Sequence, residues 1–214
     1  MSSLAAREPL TRRRVLESAL ALVDREGPGS LTMRRLGDEL GVAAMSLYNH
    51  VRGREELLDG LSEVMVGEVD LGDAGEPPRD VLARFVHGIR AVALAHPTAF
   101  ALVGMRPLRS AEALRPIEAT LGALRALGLD AERTAYAYRA LASYARGFAL
   151  AEISGFTLEG EPLPELPEDA LANVADLRRQ LALADRDAAF SFGAEALLAG
   201  ILELAATDLR GRGS

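Results

Sequence analysis

Residues 32 to 54, TMRRLGDELGVAAMSLYNHVRGR, constrain the fold of this chain more than any other stretch. A threonine, a short helical pattern ending near Leu40, a glycine at 41 and a renewed pattern from Ala43 predict two short helices joined by a tight turn. Thr32 caps the first helix, and Gly41 supplies a position where positive φ is inexpensive. Gly37, four residues before the turn glycine, lets the helices approach closely, and Leu47, six after it, plugs the second helix onto the first. That is helix-turn-helix spacing. An ordinary amphipathic helix pair inside an all-α core shares the glycine turn, so the spacing leaves both readings open.

On a 3.6-residue period Ala43, Leu47 and Val51 share the inner face of the second helix, whereas Met45, Tyr48 and Asn49 lie opposite, flanked by Ala44 and Ser46. A small, polar and aromatic surface of this kind fits a major groove. Ala44 and Met45 suit thymine methyls, and Ser46 and Asn49 carry donors and acceptors for base edges. Tyr48, His50 and Arg54 are placed as phosphate clamps, and Thr32, Arg34 and Arg35 complete the candidate DNA-contacting set from the first helix and its cap.

Charge is distributed in a way that suits this reading. The net charge of −7 argues against nucleic acid only until it is divided along the chain. Residues 1 to 54 hold nine Arg against six acids (+3), and residues 55 to 214 hold fifteen Arg against twenty-five acids (−10). All 24 basic residues are Arg, a bias of the kind genomic base composition produces, so not every Arg is a phosphate contact. The 49% hydrophobic content of 214 residues is enough for a substantial core. Without cysteine there is no disulfide or thiolate site. No unbroken apolar run approaches the ~18 residues of a membrane span, and the N-terminus lacks a signal-peptide pattern. The expectation is a cytoplasmic protein with no membrane partner.

The run LTMRRLGDELGVAAMSLYNHVRGREELLDGL, with its tyrosine-x-histidine pair, the following basic residue and the LL, closely resembles the DNA-binding segment of the TetR family of bacterial transcriptional regulators. The resemblance covers residues 10 to 65. Weaker landmarks follow: Arg106-Pro107, a leucine-rich helix near 121 to 127, and FSFGAEALLAGI near 190 to 201, which is similar to the last dimer helix of the tetracycline-repressor branch. It implies an all-α homodimeric repressor: an N-terminal three-helix DNA-binding domain, residues 1 to 56, and a larger helical ligand-binding and dimerisation domain, residues 57 to 214, with a connector helix at 57 to 70. The implied partners are double-stranded DNA carrying a palindromic operator, a second copy of the chain, and a small-molecule effector.

In chain order, residues 1 to 9 read as an unstructured start. Arg12, Arg13 and Arg14 open a helix capped by Thr11 and reach either DNA backbone or solvent. Val15, Ala19, Leu22 and Val23 form its apolar stripe, which ends near Gly27. After the connector, LGDAGEPPR punctuates the chain at 71 to 79. Helical patterns then follow at 79 to 95, after Pro97, at 110 to 127, 131 to 155, 168 to 183 and 187 to 209, with an acidic, proline-rich loop at 157 to 169. The last helix carries more apolar surface than one intramolecular face requires. Small residues at 193, 196, 199 and 200 would admit another helix, either across a two-fold axis or within the monomer core.

Candidate effector contacts are Met65, Phe85, Ile89, Phe100, Leu102, Met105, Arg106, Tyr136, Arg139 and Tyr144, each of a type that also serves as plain core or surface. Arg106 is the best polar anchor among them, or else it is a helix cap or ion pair. Within the resemblance, Asp70 and Leu102 stand where the tetracycline repressor has its drug-adjacent and magnesium-binding histidines, and Phe85 stands where it has its drug-anchoring asparagine. The expectation is therefore no metal, no cofactor and a more apolar effector. Two other classes remain. An enzyme is disfavoured because His87 and His96, nine apart, do not form a metal-ligand pair and no phosphate loop or nucleophile motif appears. A helical protein-interaction module would leave Tyr48, His50 and Arg54 without a role.

Overall fold

The computed structural model describes residues 9–70, 72–73, 75–155, 171–182 and 185–211, and every element among them is helical. The expected unstructured start, up to residue 8, and the loop at 157–169 lie outside the described residues. Two compact units form, and their membership cuts across sequence order: Met1–Val69 with Ala95–Ile117, and Asp70–Leu94 with Glu118–Ser214.

In the first unit α1 (Arg12–Glu26) begins where Thr11 Oγ1 accepts from Arg14 N at 3.2 Å, and ends at Gly27, whose φ of 85° suits a residue without Cβ. Val15, Leu16, Ala19, Leu20, Leu22 and Val23 are buried along it. A 3₁₀ turn at Pro28–Ser30 leads to α2 (Met33–Leu40), α3 (Ala44–Leu47) and α4 (Arg54–Gly67). Helix α4 crosses α1 at Gly60, where a Cβ would run into the Leu16 side chain, and buries Leu57, Leu58, Leu61 and Met65. Each such leucine contributes about 1.5–3 kcal/mol of burial. Helix α6 (Pro97–Val103) packs Ala99, Phe100 and Val103 against α1 and α4, so residues 95–117 belong with the head although the chain leaves it first.

In the second unit α5 (Pro78–Ala95) buries Leu82, Phe85, Val86, Ile89, Val92 and Ala93. The punctuating segment before it is gathered by Arg84, which donates to Asp70 at 2.9 Å and to both oxygens of Glu76 at 2.7 and 2.8 Å. Helix α7 runs Arg115–Ala126, not from 110. Pro116 would fall inside a helix begun at 110, where it removes a hydrogen bond and clashes with the preceding turn. Residues 110–114 instead form a turn in which Ser110 accepts from Ala113 and Leu114.

Helices α8 (Ala131–Ser154) and α10 (Arg186–Gly211) pack together, with α9 (Ala172–Ala182) between them in sequence. Phe190, Ala194, Leu198, Ile201 and Ala205 form the buried stripe of α10. By length and composition the window 186–207 is long and apolar enough to cross a membrane, contrary to the expectation from unbroken runs, because isolated charges such as Glu195 and Glu203 interrupt the run without lowering the average enough. Its stripe, however, packs on α8 as a core helix does. Gly193 does not wait for another helix. The Tyr144 ring occupies the space its Cβ would fill, and the Tyr144 hydroxyl donates to Phe190 O at 2.7 Å.

Candidate nucleic-acid interface

The head surface is built by three local devices. Thr32 Oγ1 accepts from Arg35 N at 3.1 Å and starts α2. Gly41, at φ 63° and ψ 39°, reverses the chain, with Gly41 N donating to Asp38 O at 3.2 Å and Val42 N to Gly37 O at 2.9 Å. At Gly37 a Cβ would lie 2.9 Å from Val42 O and 3.2 Å from Ala44 N, so only glycine lets α3 start this close to α2.

Helix α3 has four helical residues, shorter than expected. Ala43 is extended (φ −64°, ψ 139°), and after Leu47 the chain continues through tighter bonds from Tyr48 N to Met45 O (3.3 Å) and from His50 N to Leu47 O (2.9 Å). The outer face survives this shortening, but the inner face loses Ala43, which is exposed because its extended backbone stands before the helix and off its period. Leu47 and Val51 are fully buried, while Met45 is 75% and Tyr48 46% exposed, with Asn49 exposed beside them. Ala44, Ser46 and His50 are half-buried at the edges of that surface.

The arginines separate into two groups. Arg34 and Arg54 are exposed and make no ion pair among the described residues. Arg35 is half-buried and braces the head: it donates from Nε to Glu26 at 3.0 Å, and its Nη2 reaches Glu26 and Glu39, the latter at 2.9 Å. Hydrogen bonding to Glu26 raises its pKa further and holds the Glu26 carboxyl below its ordinary value. The same two carboxylates take Arg25, joining the end of α1 to α2. The pairing was legible, since Glu39 lies four residues after Arg35 on one helix face. Arg12 reaches Glu63 on α4 at 3.2 Å, and Arg13 pairs with Glu17. Arg52 was absent from the sequence-derived set. It is exposed between His50 and Arg54 and makes no ion pair among the described residues, while its backbone N–H donates to Glu56 at 2.8 Å and ties off α4.

The ten candidate effector residues divide five and five between the units. In the first, Met65 and Phe100 are buried, Leu102 is half-buried and Met105 is exposed. Arg106 forms the ion pair among its alternatives, donating from Nε to Asp59 at 2.7 Å and from Nη2 to Glu55 at 2.9 Å. In the second unit Phe85 and Ile89 are buried, whereas Tyr136 and Arg139 are exposed, with the Tyr136 hydroxyl donating to Glu132. Tyr144 stacks on Phe190 at 5.4 Å between ring centroids, beside Phe148.

Sequence reasoning passed over Tyr138, 5.9 Å from Phe85, and Arg90, which holds Glu152 through two 2.7 Å bonds and lies 4.9 Å over the Phe190 ring. No periodicity reports an ion pair 62 residues apart. Among the described residues, no group of three or more His, Asp and Glu could hold a metal ion.

A helix-turn-helix with a buried inner face and an exposed Met45-Tyr48-Asn49 face, on an all-α scaffold, defines a helical DNA-binding regulator. The chain matches the family model of bacterial regulatory proteins, tetR family, over residues 15–61, and that of the tetracyclin repressor-like C-terminal domain over residues 72–205. It belongs to the TetR family of transcriptional regulators.

An HTH-type transcriptional regulator of Saccharopolyspora erythraea is 37% identical over 144 residues, which are 67% of this chain and 61% of that relative's length. The class G tetracycline repressor protein of Vibrio anguillarum is 30% identical over 206 residues, 94% of this chain and 97% of that one. Among solved structures, apo ActR from Streptomyces coelicolor is similar at a TM-score of 0.79 and 28% identity, covering 94% of this chain and 98% of that one. ActR in complex with actinorhodin is similar at a TM-score of 0.79 and 29% identity, covering 92% and 99%.

Proposed function

We propose that the protein is a cytoplasmic repressor that binds a palindromic operator as a homodimer and leaves it when a small molecule binds. The observation that carries this reading is the exposed face of Ala44, Met45, Ser46, Tyr48 and Asn49, set on a glycine-tight turn with His50, Arg34, Arg52 and Arg54 around it. Base contacts fall to Ala44, Met45, Ser46 and Asn49, and phosphate contacts to Tyr48, His50, Arg34, Arg52 and Arg54. Arg35 acts indirectly, by holding α2 on α1, and Thr32 as the cap of α2. DNA binding falls to residues 1–56 and ligand binding and dimerisation to residues 57–214, with α4 the connector, although α4 and residues 95–117 pack with the head.

Dimerisation falls to α8 and α10. Phe192 is 79% and Leu204 60% exposed on α10, and Gly200 faces open space, which leaves room for close approach by a second copy. A dimer also gives one short helix the specificity of two half-sites.

The effector is an apolar, aromatic small molecule taken up by the aromatic side chains of the second unit, with Phe85, Ile89 and Tyr144 as contacts. The ring-rich character of that unit supports this, as does ActR's complex with actinorhodin. Selection of genomic fragments by the purified protein, followed by anisotropy on the winner at two salt concentrations, tests the reading. A palindromic, salt-sensitive site released by an aromatic compound is the expected result, and recovery of no DNA sequence would overturn it.

A further inference from the structure

His96 stands between two carboxylates in the first unit. It stands at the N-cap position of α6 but makes no side-chain cap bond there, with Nδ1 2.5 Å from Asp24 Oδ2 on α1 and Nε2 2.8 Å from Glu68 Oε2 at the end of α4. A carboxylate only accepts, and a neutral imidazole has one N–H and one lone pair, so both contacts are hydrogen bonds only when both nitrogens carry protons. The other Asp24 oxygen is buried and finds no hydrogen-bond partner among the described residues, so this carboxylate leans on His96. Losing the proton would set a lone pair against one of the two anions and leave Asp24 without its cation.

The other end of the same segment is held differently. Three residues beyond α6, Arg106 donates to Glu55 and Asp59 in the first turns of α4, and its charge does not titrate in the physiological range. We infer that α6 is a strap pinned to α4 at two points, by the permanent cation of Arg106 and the titratable cation of His96, and that operator affinity depends on the second pin. His96 is thus a positioning residue for DNA binding, a role that rests on the proposed function above.

The surrounding charges leave the pin in place. The surface shared with His96 carries Arg12, Arg13 and Glu17 from α1, Glu63 and Glu68 from α4, and Glu112 from the segment after α6. Arg12 is taken by Glu63 and Arg13 by Glu17, and the 3₁₀ turn Pro28–Ser30 contributes no titratable side chain. Burial alone would lower the His96 pKa, but Asp24 and then Glu68 outweigh it and the pKa rises above its ordinary value. The pin is therefore complete below about pH 6.5 and is lost as pH rises through the folded-state pKa.

The test is anisotropy on a selected DNA fragment from pH 6 to 9 at fixed ionic strength, for wild type, His96→Gln and His96→Arg, together with an NMR titration of the free protein. Only His50, His87 and His96 are present, so the His96 ring signal is the one missing from His96→Gln. Wild type should lose affinity several-fold more than His96→Gln across this range, because only wild type loses the pin. His96→Arg should stay tight throughout. His50 is a histidine on the proposed DNA-contacting face itself, so the difference between the two proteins is the readout rather than either profile. A His96 signal titrating at or below about pH 6.5, or parallel profiles in wild type and His96→Gln, overturns the proposal while leaving DNA binding intact. Absence of DNA binding by every protein at every pH overturns the DNA-binding reading itself, and this proposal with it.

Discussion

Gly37 has no side chain because the backbone of the turn occupies that space, with Val42 O within 2.9 Å of where a Cβ would sit. Gly37→Ala must push α3 away from α2 and should cost about 1–3 kcal/mol, read as a lower urea midpoint at unchanged m-value. Tyr48→Ala removes a half-exposed side chain with little burial to lose, so unfolding should hardly change while DNA affinity falls several-fold. A Tyr48→Ala protein that binds DNA as wild type does would remove this residue from the interface. Met45→Ala should change the preference among sites more than the overall affinity, because an apolar contact reads the thymine methyl and not the phosphate.

Helices are held to one another by residues far apart in sequence. Phe190 lies fully buried on α10 among Tyr144, Phe148 and His87, under Arg90. Phe190→Ala should cost about 3–5 kcal/mol and lower the thermal midpoint, and a smaller loss would mean that Tyr144 collapses into the cavity. Arg35 links α2 to α1 through Glu26, whose carboxyl is held low by that hydrogen bond. A depressed carboxylate contributes stability above its unfolded pKa that is lost as pH falls through the folded value. Acid should therefore loosen the α1–α2 junction, and Arg35→Gln should flatten the acid limb of the stability profile.

Over the whole molecule, the acidic body and basic head share a net charge of −7, so affinity for DNA rests on a local field that salt screens. Log K against log salt should fall with a slope whose magnitude grows by ~0.9 for each neutralised phosphate, and Arg54→Ala should reduce that magnitude by about one contact. Phe192→Asp on the exposed side of α10 should yield monomers in sedimentation, and operator binding should weaken with them. If the variant stays dimeric, α10 is not the seam. Magnesium with tetracycline should leave the thermal midpoint unchanged, because Phe85, Asp70 and Leu102 offer neither the imidazoles nor the amide that would hold it.

The all-α fold, the caps at Thr11 and Thr32, the turn at Gly41 and the two faces around Leu47 were determined by the sequence, because each depends on residues within a few positions of one another, where period and propensity are legible. Tertiary structure alone decided the rest. Residues 95–117 return to the head, Gly193 yields its space to Tyr144 rather than to a second chain, Arg106 and Arg35 spend their charge on Glu55, Asp59 and Glu26, and His96 sits between Asp24 and Glu68. These are pairings across many residues of intervening chain, and a side chain's chemistry does not specify which distant partner the packing of helices will bring within 3 Å.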